Sequence, residues 1–144
     1  GGTKRAAAYA KFLNCDLVIA FKQRAKANVV EKMTIIGDVK DKDIILVDDI
    51  IDTAGTITMA SEMIMDKGAR SVRAACTHPI FSGKAYEKLD KSPLCEVIVT
   101  DTIPLKDQLD KITVLSTANL FADVIGKVHN YESISAHFQF STLL

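Results

Sequence analysis

The chain has 144 residues, 48% of them hydrophobic, with 18 basic and 18 acidic side chains and a mean hydropathy of +0.15. That length builds one domain with a substantial core, and the balanced charge excludes bulk electrostatic capture of nucleic acid. No run approaches the roughly 18 apolar residues of a membrane-spanning helix and no secretory signal is present, so a cytoplasmic protein without membrane or nucleic-acid partners is expected. The charge balance conceals an asymmetry. Residues 1–32 carry seven basic side chains against two acidic ones, a net of +5, which leaves −5 for the remainder. Such a basic lobe suits a metal–polyphosphate ligand as well as it suits a solvated helix and loop. Cys15, Cys76 and Cys95 show no CxxC spacing; Cys15 and Cys76 border apolar runs and are expected in the core. The Gly1-Gly2 start, without an initiator Met, is what a fragment would show.

In chain order, residues 4–13 are Ala-rich with Ala6, Tyr9, Ala10 and Leu13 on one face, which predicts a helix stopped by Asn14. Asp16 to Phe21 reads as a buried strand. Lys22 to Asn28 is basic and lacks apolar periodicity, which predicts an exposed loop. A second strand is expected around Met33–Ile36, turning at Gly37-Asp38.

The next stretch carries the chemistry. Ile44 to Val47 is an apolar run that reads as a buried strand, followed by Asp48-Asp49 and then by Asp52-Thr53-Ala54-Gly55-Thr56 leading into a helix to about Lys67. In open α/β sheets, ligands bind beyond the carboxyl ends of strands. Unpaired N–H groups at a loop entering a helix suit a phosphate. Thr53 and Thr56 add hydroxyls, and Gly55 would admit a close approach of the backbone. Three carboxylates repel a bare phosphate, but they suit the hydroxyls of a ribose phosphate or a magnesium ion riding with a polyphosphate.

Within the helix Ile57, Ala60 and Ile64 face inward with Met59 and Met63 beside them, and Gly68 ends it. Ser71 to Cys76 is the next strand, ending in Thr77-His78-Pro79; His78 there is as well placed to hold a turn as to touch a ligand. Ser82-Gly83 opens a short helix to Leu89, and Ser82 has no His or carboxylate partner at a motif spacing. Glu96 to Thr100 and Ile112 to Leu115 read as strands, the latter at an edge. Thr117 to His129 forms an amphipathic helix through Leu120, Phe121, Val124, Ile125 and Val128, and a tail from Glu132 to Phe140 is positioned to pack on the sheet or on another subunit. Alternating strands and helices imply an α/β fold with a mostly parallel sheet flanked by helices. No GxxxxGK[ST], GxGxxG or HExxH motif is present.

The Asp48–Thr56 stretch resembles the ribose-phosphate loop of the type I phosphoribosyltransferase superfamily. More narrowly, the chain resembles the ribose-phosphate pyrophosphokinase family. Gly1-Gly2, Lys22-Gln23-Arg24 with Ala27-Asn28, Gly37-Asp38-Val39, Thr77 to Gly83, Asp101-Thr102-Ile103-Pro104 and Glu132 to Ser135 all occur in that family's order. The resemblance covers essentially the whole chain but only the family's second half. It implies one phosphoribosyltransferase-like domain over residues 1–144, the C-terminal half of a two-domain enzyme.

The implied reaction transfers the diphosphoryl group of ATP to ribose 5-phosphate, giving phosphoribosyl pyrophosphate and AMP, with Mg2+ as cofactor. Asp52, Thr53, Ala54, Gly55 and Thr56 match the loop around the 5-phosphate, and Asp48 and Asp49 the acids at the ribose hydroxyls. Lys22 and Arg24 match the catalytic lysine and arginine, with Arg24 also touching substrate. Gln23 stands where many members carry a further arginine. The resemblance further implies a homo-oligomer, dimers assembling to a hexamer. Ser133 to Ser135 resembles part of an allosteric nucleotide site at subunit contacts. The family's metal-binding histidine and a further metal-ligand aspartate lie outside this chain, so no metal ligand is assigned within it. The 144 residues alone are therefore expected to bind ribose 5-phosphate weakly and to turn over little. Two other classes share parts of the pattern. A phosphoribosyltransferase acting on a nucleobase would share Asp48–Thr56 but needs a base-recognition hood, for which the sequence offers no candidate. A non-catalytic regulatory homologue should have lost Lys22 and Arg24, and this chain retains both.

Overall fold

A computed structural model describes residues 3–23 and 32–142 of the chain. The predicted roles of Gly1-Gly2, Arg24, Ala27 and Asn28 lie outside the described residues. The first helix, α1, runs Thr3–Leu13 and stops where Asn14 takes a left-handed φ of 51°. Strands β1 (Ile19–Gln23) and β2 (Lys32–Ile36) pair antiparallel as a two-stranded sheet, Lys22 opposite Met33. The expected buried strand at Asp16–Phe21 is thus displaced towards the C-terminus, and Phe21 is exposed. Its limits follow the ladder with β2 rather than its hydrophobicity. Lys22 consequently lies on a strand and not, as the sequence suggested, in a loop.

The main sheet has four parallel strands in the order β3 (Asp43–Ile51), β4 (Ser71–Pro79), β5 (Glu96–Thr100) and β6 (Ile112–Leu115). Three parallel pairings in sequential order require a crossover between each pair of strands. Helices α2 (Gly55–Asp66) and α3 (Ala85–Lys91) provide the first two. On one face of the sheet Val72, Ala74, Cys76, Val97 and Val99 join Ile57 and Ile64 of α2 and Ala85 and Leu89 of α3 in a single core. Gly68 closes α2 with φ of 90°, as expected of a left-handed C-terminal stop.

The other face is less covered. Parallel sheets ordinarily bury both faces, but here Ile45 is half exposed, and β3 is not the buried strand its apolar run suggested. Ile45, Val47, Ala75 and Ile98 line a cavity of about 860 Å³ against Tyr9 and Leu13 of α1. Cys15 is exposed at its margin rather than packed in the core, because it falls in the turn after α1 and not on β1. Helix α4 (Ala118–His129) forms as predicted, yet none of its residues is buried; Leu120, Phe121, Ile125 and Val128 all face outward. Asp101 fastens its start, accepting from Thr117 N–H at 2.8 Å and from the hydroxyls of Thr117 and Ser116 at 2.6 and 2.7 Å. Those donors hold the Asp101 carboxyl down at about 2. A 3-10 segment, Ser135–Thr142, follows, and His137 Nε2 meets Asp123 of α4 at 2.7 Å. No helix of the described residues is long and apolar enough to cross a membrane.

Candidate functional site

Strand β3 continues to Ile51, so Asp48 and Asp49 sit within its last four residues, Asp48 opposite Cys76 and Ile50 opposite His78. Sequence reading had ended the strand at Val47, because the carboxylates interrupt its apolar run; the ladder with β4 carries it through them. Burial pushes the Asp48 carboxyl above its ordinary value; the Asp49 N–H, donating to it at 2.9 Å, opposes the shift and the Asp49 carboxylate adds to it. Asp49 moves the opposite way, through its contact with Asp48 and then through the Arg5 guanidinium, whose Nη2 donates to Asp49 Oδ2 at 3.1 Å. As pH falls, Asp48 takes up a proton before an ordinary aspartate would, while Asp49 retains its charge longer.

The loop after β3 is held from one side. Ile51 C=O accepts from the N–H groups of Ile80 and Phe81 at 3.1 and 3.2 Å, and Asp52 C=O accepts from Ser82 N–H at 3.0 Å. Thr53 C=O accepts from Lys88 Nζ at 3.1 Å. Ser82 Oγ also donates to the Asp52 carboxylate. This is a carboxylate partner that motif spacing did not find, because it comes from 30 residues away. It anchors the loop and confers no nucleophile role, since no His joins the pair.

A trans peptide points its C=O and N–H in opposite directions. Fixing the carbonyls of Asp52 and Thr53 towards the β4–α3 segment therefore turns the N–H groups of Thr53 and Ala54 the other way. Ala54 has a left-handed φ of 59° and is buried, and it immediately precedes α2. The sequence had placed the special backbone at Gly55; the strained residue is its neighbour, at a cost of about 1–3 kcal/mol. A Cβ at Gly55 would meet nothing nearer than Lys88 Nζ at 3.6 Å. The start of α2 has no side-chain cap and no acidic residue in its first turn. Among the described residues, none accepts a hydrogen bond from the N–H groups of Thr53, Ala54, Gly55 or Thr56. Asp52, Thr53 and Thr56 are exposed, Gly55 is half-buried and Ala54 is buried, so the loop borders an open surface. The 860 Å³ cavity lies elsewhere: Asp48, Asp49 and Asp52–Thr56 are not among its lining residues. The arrangement can hold an anion with backbone amides while carboxylates wait alongside.

The structure thus brings Asp48, Asp49, Asp52, Thr53, Ala54, Gly55 and Thr56 together on one strand–loop–helix unit. Lys22 stands apart on the two-stranded sheet, and Arg24 is outside the described residues. Among the described residues no group of three His, Cys, Asp or Glu side chains clusters as metal ligands. His78 lies on β4, with its Nδ1 2.9 Å from Thr102 Oγ1, which donates to Thr77 C=O. Ser82 and Lys88 were missed as supports of the loop. Ser82 lies inside a quoted motif, whereas Lys88 is one of two lysines on α3 with no spacing that ties it to the loop.

Comparison with known proteins places this geometry in context. The model of a family described as "phosphoribosyl synthetase-associated domain" matches residues 18–139. A ribose-phosphate pyrophosphokinase of Campylobacter jejuni is 57% identical over 138 residues, which cover 96% of this chain and 45% of that protein. One from Wolinella succinogenes is 56% identical with the same coverage. A solved structure of phosphoribosylpyrophosphate synthetase from Mycobacterium smegmatis matches with a TM-score of 0.81 and 35% identity, over 90% of this chain and 42% of that one. The chain spans less than half the length of the relatives it matches.

Proposed function

The chain belongs to the phosphoribosyl synthetase-associated domain family, and from that premise we propose that it supplies the ribose 5-phosphate half of a ribose-phosphate diphosphokinase. The reaction transfers the diphosphoryl group of ATP to the 1-hydroxyl of ribose 5-phosphate and releases AMP. The observation that carries this reading is the exposed, uncapped start of α2, where the N–H groups of Thr53 to Thr56 find no acceptor among the described residues. They would take the 5-phosphate, with the Thr53 and Thr56 hydroxyls beside them. Asp48 and Asp49 would face the sugar hydroxyls.

Magnesium is part of the proposal. An Mg2+ ion that travels with a polyphosphate needs only one or two protein carboxylates, and the adjacent Asp48 and Asp49 fit that demand without a dedicated cluster. The ion would neutralise charge on the phosphate oxygens. Lys22 and Arg24 are proposed to do the same for the transferring group, so that catalysis is positioning plus charge stabilisation and neither acts as a base. A cytoplasmic setting and assembly through dimers to a hexamer belong to the same proposal.

Two measurements test it. With ATP and ribose 5-phosphate, and with the part of the relatives' length that this chain does not span supplied, the products should be AMP and phosphoribosyl pyrophosphate. Release of pyrophosphate from phosphoribosyl pyrophosphate and a nucleobase, with a nucleotide formed, would instead make it a phosphoribosyltransferase. Asp52→Ala removes the acceptor of the Ser82 hydroxyl and should loosen the loop, raising the Kd for ribose 5-phosphate about tenfold, or ~1.4 kcal/mol. Calorimetric titration reads that change; unchanged affinity would place the sugar phosphate elsewhere.

A further inference from the structure

We infer that Lys88, on α3, is a positioning residue for the sugar-phosphate loop; the inference rests on the ribose 5-phosphate reading above. Its ammonium donates to Thr53 C=O at 3.1 Å, across 35 residues of sequence. The same Nζ lies 3.6 Å from where a Cβ on Gly55 would stand. A full positive charge therefore lies beside the first residue of α2. On its own, that is a poor place for a cation. The start of a helix already carries partial positive charge, and cations favour the opposite end. Nothing on the helix offsets it, since α2 has neither a side-chain cap nor an acidic residue in its first turn. Lys88 bonds the Thr53 carbonyl, whereas the loop carboxylate, Asp52, is held by the Ser82 hydroxyl. Two like-signed sources held together at an exposed loop make electrostatic sense when a phosphate monoester arrives between them.

The Lys88 contact has a second, geometric effect. By holding the Thr53 carbonyl it fixes the peptide that carries the Ala54 N–H, and so aims that donor away from α3. Without the ammonium, nothing among the described residues holds this carbonyl, and the strained Ala54 conformation loses one of its supports. Lys88 would thus act on the ligand through the loop it orients. The neighbouring Lys91 is a suitable comparison because it bonds Glu87 on its own helix at 2.7 Å and does not reach the loop.

The test follows amide resonances of the 144-residue chain as ribose 5-phosphate is added. In the wild type the amides of Thr53 to Thr56 should move. Lys88→Met should weaken binding about tenfold, the loss expected of one charge-assisted hydrogen bond. It should also shift the Ala54 and Gly55 amides before any ligand is added, a change that loss of distant charge would not produce. Lys88→Arg should restore affinity and resonances, and Lys91→Met should behave as wild type. If the wild type binds and Lys88→Met binds equally well, or if Lys91→Met loses as much, the role of Lys88 falls while the ribose 5-phosphate site stands. If ribose 5-phosphate leaves the wild-type amides of Thr53 to Thr56 unmoved, the site itself fails and the role of Lys88 goes with it.

Discussion

With the part of the relatives' length that this chain does not span supplied, Lys22→Ala should lower diphosphoryl transfer by about a thousandfold or more, equivalent to ~4 kcal/mol of transition-state stabilisation. The expectation follows from where charge builds up. The transferring group spreads negative charge over its oxygens as the bond to AMP breaks, and a cation placed there is worth more at that moment than in the ground state. The affinity for ribose 5-phosphate should change little, because the proposed phosphate contacts come from the Asp52–Thr56 loop. Structural damage would not mimic this result. Residue 22 lies within β1, paired with Met33 through the backbone, and an alanine there keeps the ladder. The measurement is AMP released from ATP at saturating ribose 5-phosphate, with sugar-phosphate binding followed separately. A variant that kept normal turnover would show that charge on the transferring group is stabilised elsewhere, and the role proposed for the end of β1 would be withdrawn.

The parts of the fold that hydrophobicity determines were legible in the sequence. Glu96–Thr100 and Ile112–Leu115 stand where the apolar runs placed them, and Ile57, Ala60 and Ile64 are the buried face of α2. What hydrogen bonding determines was less visible. Strand β1 is shifted because its partner β2, and not its own composition, defines its ends. Strand β3 runs on through two carboxylates because β4 continues beside it. The candidate site divides in the same way. Asp48, Asp49 and Asp52–Thr56 could be read directly, since strand, loop and helix follow one another along the chain. Ser82 and Lys88 could not, because each meets the loop across at least 30 residues and neither sits at a telling spacing. The outward apolar face of α4 is a third case. Periodicity correctly gave an amphipathic helix, but periodicity does not say what an apolar face packs against.

Ile64→Ala should destabilise the protein by about 2–5 kcal/mol, a large share of the stability of an ordinary domain. Ile64 has 0% exposure and sits in the core with Val72, Leu89 and Val97. Truncating it leaves a cavity beneath the last turn of α2, in a core that joins both crossover helices to the sheet. The same substitution at Ile125, which is 65% exposed on α4, should cost within about 0.5 kcal/mol. Urea titrations of the two variants measure the contrast as a large fall in midpoint for one and almost none for the other. The comparison also bears on the site. Ala54 is itself buried, and its left-handed turn is tenable only while α2 is seated on the sheet. Ribose 5-phosphate binding by Ile64→Ala should therefore disappear at the urea concentration where α2 unfolds, well below the wild-type midpoint. Binding that outlasted the loss of α2 would mean that the loop amides do not hold the phosphate.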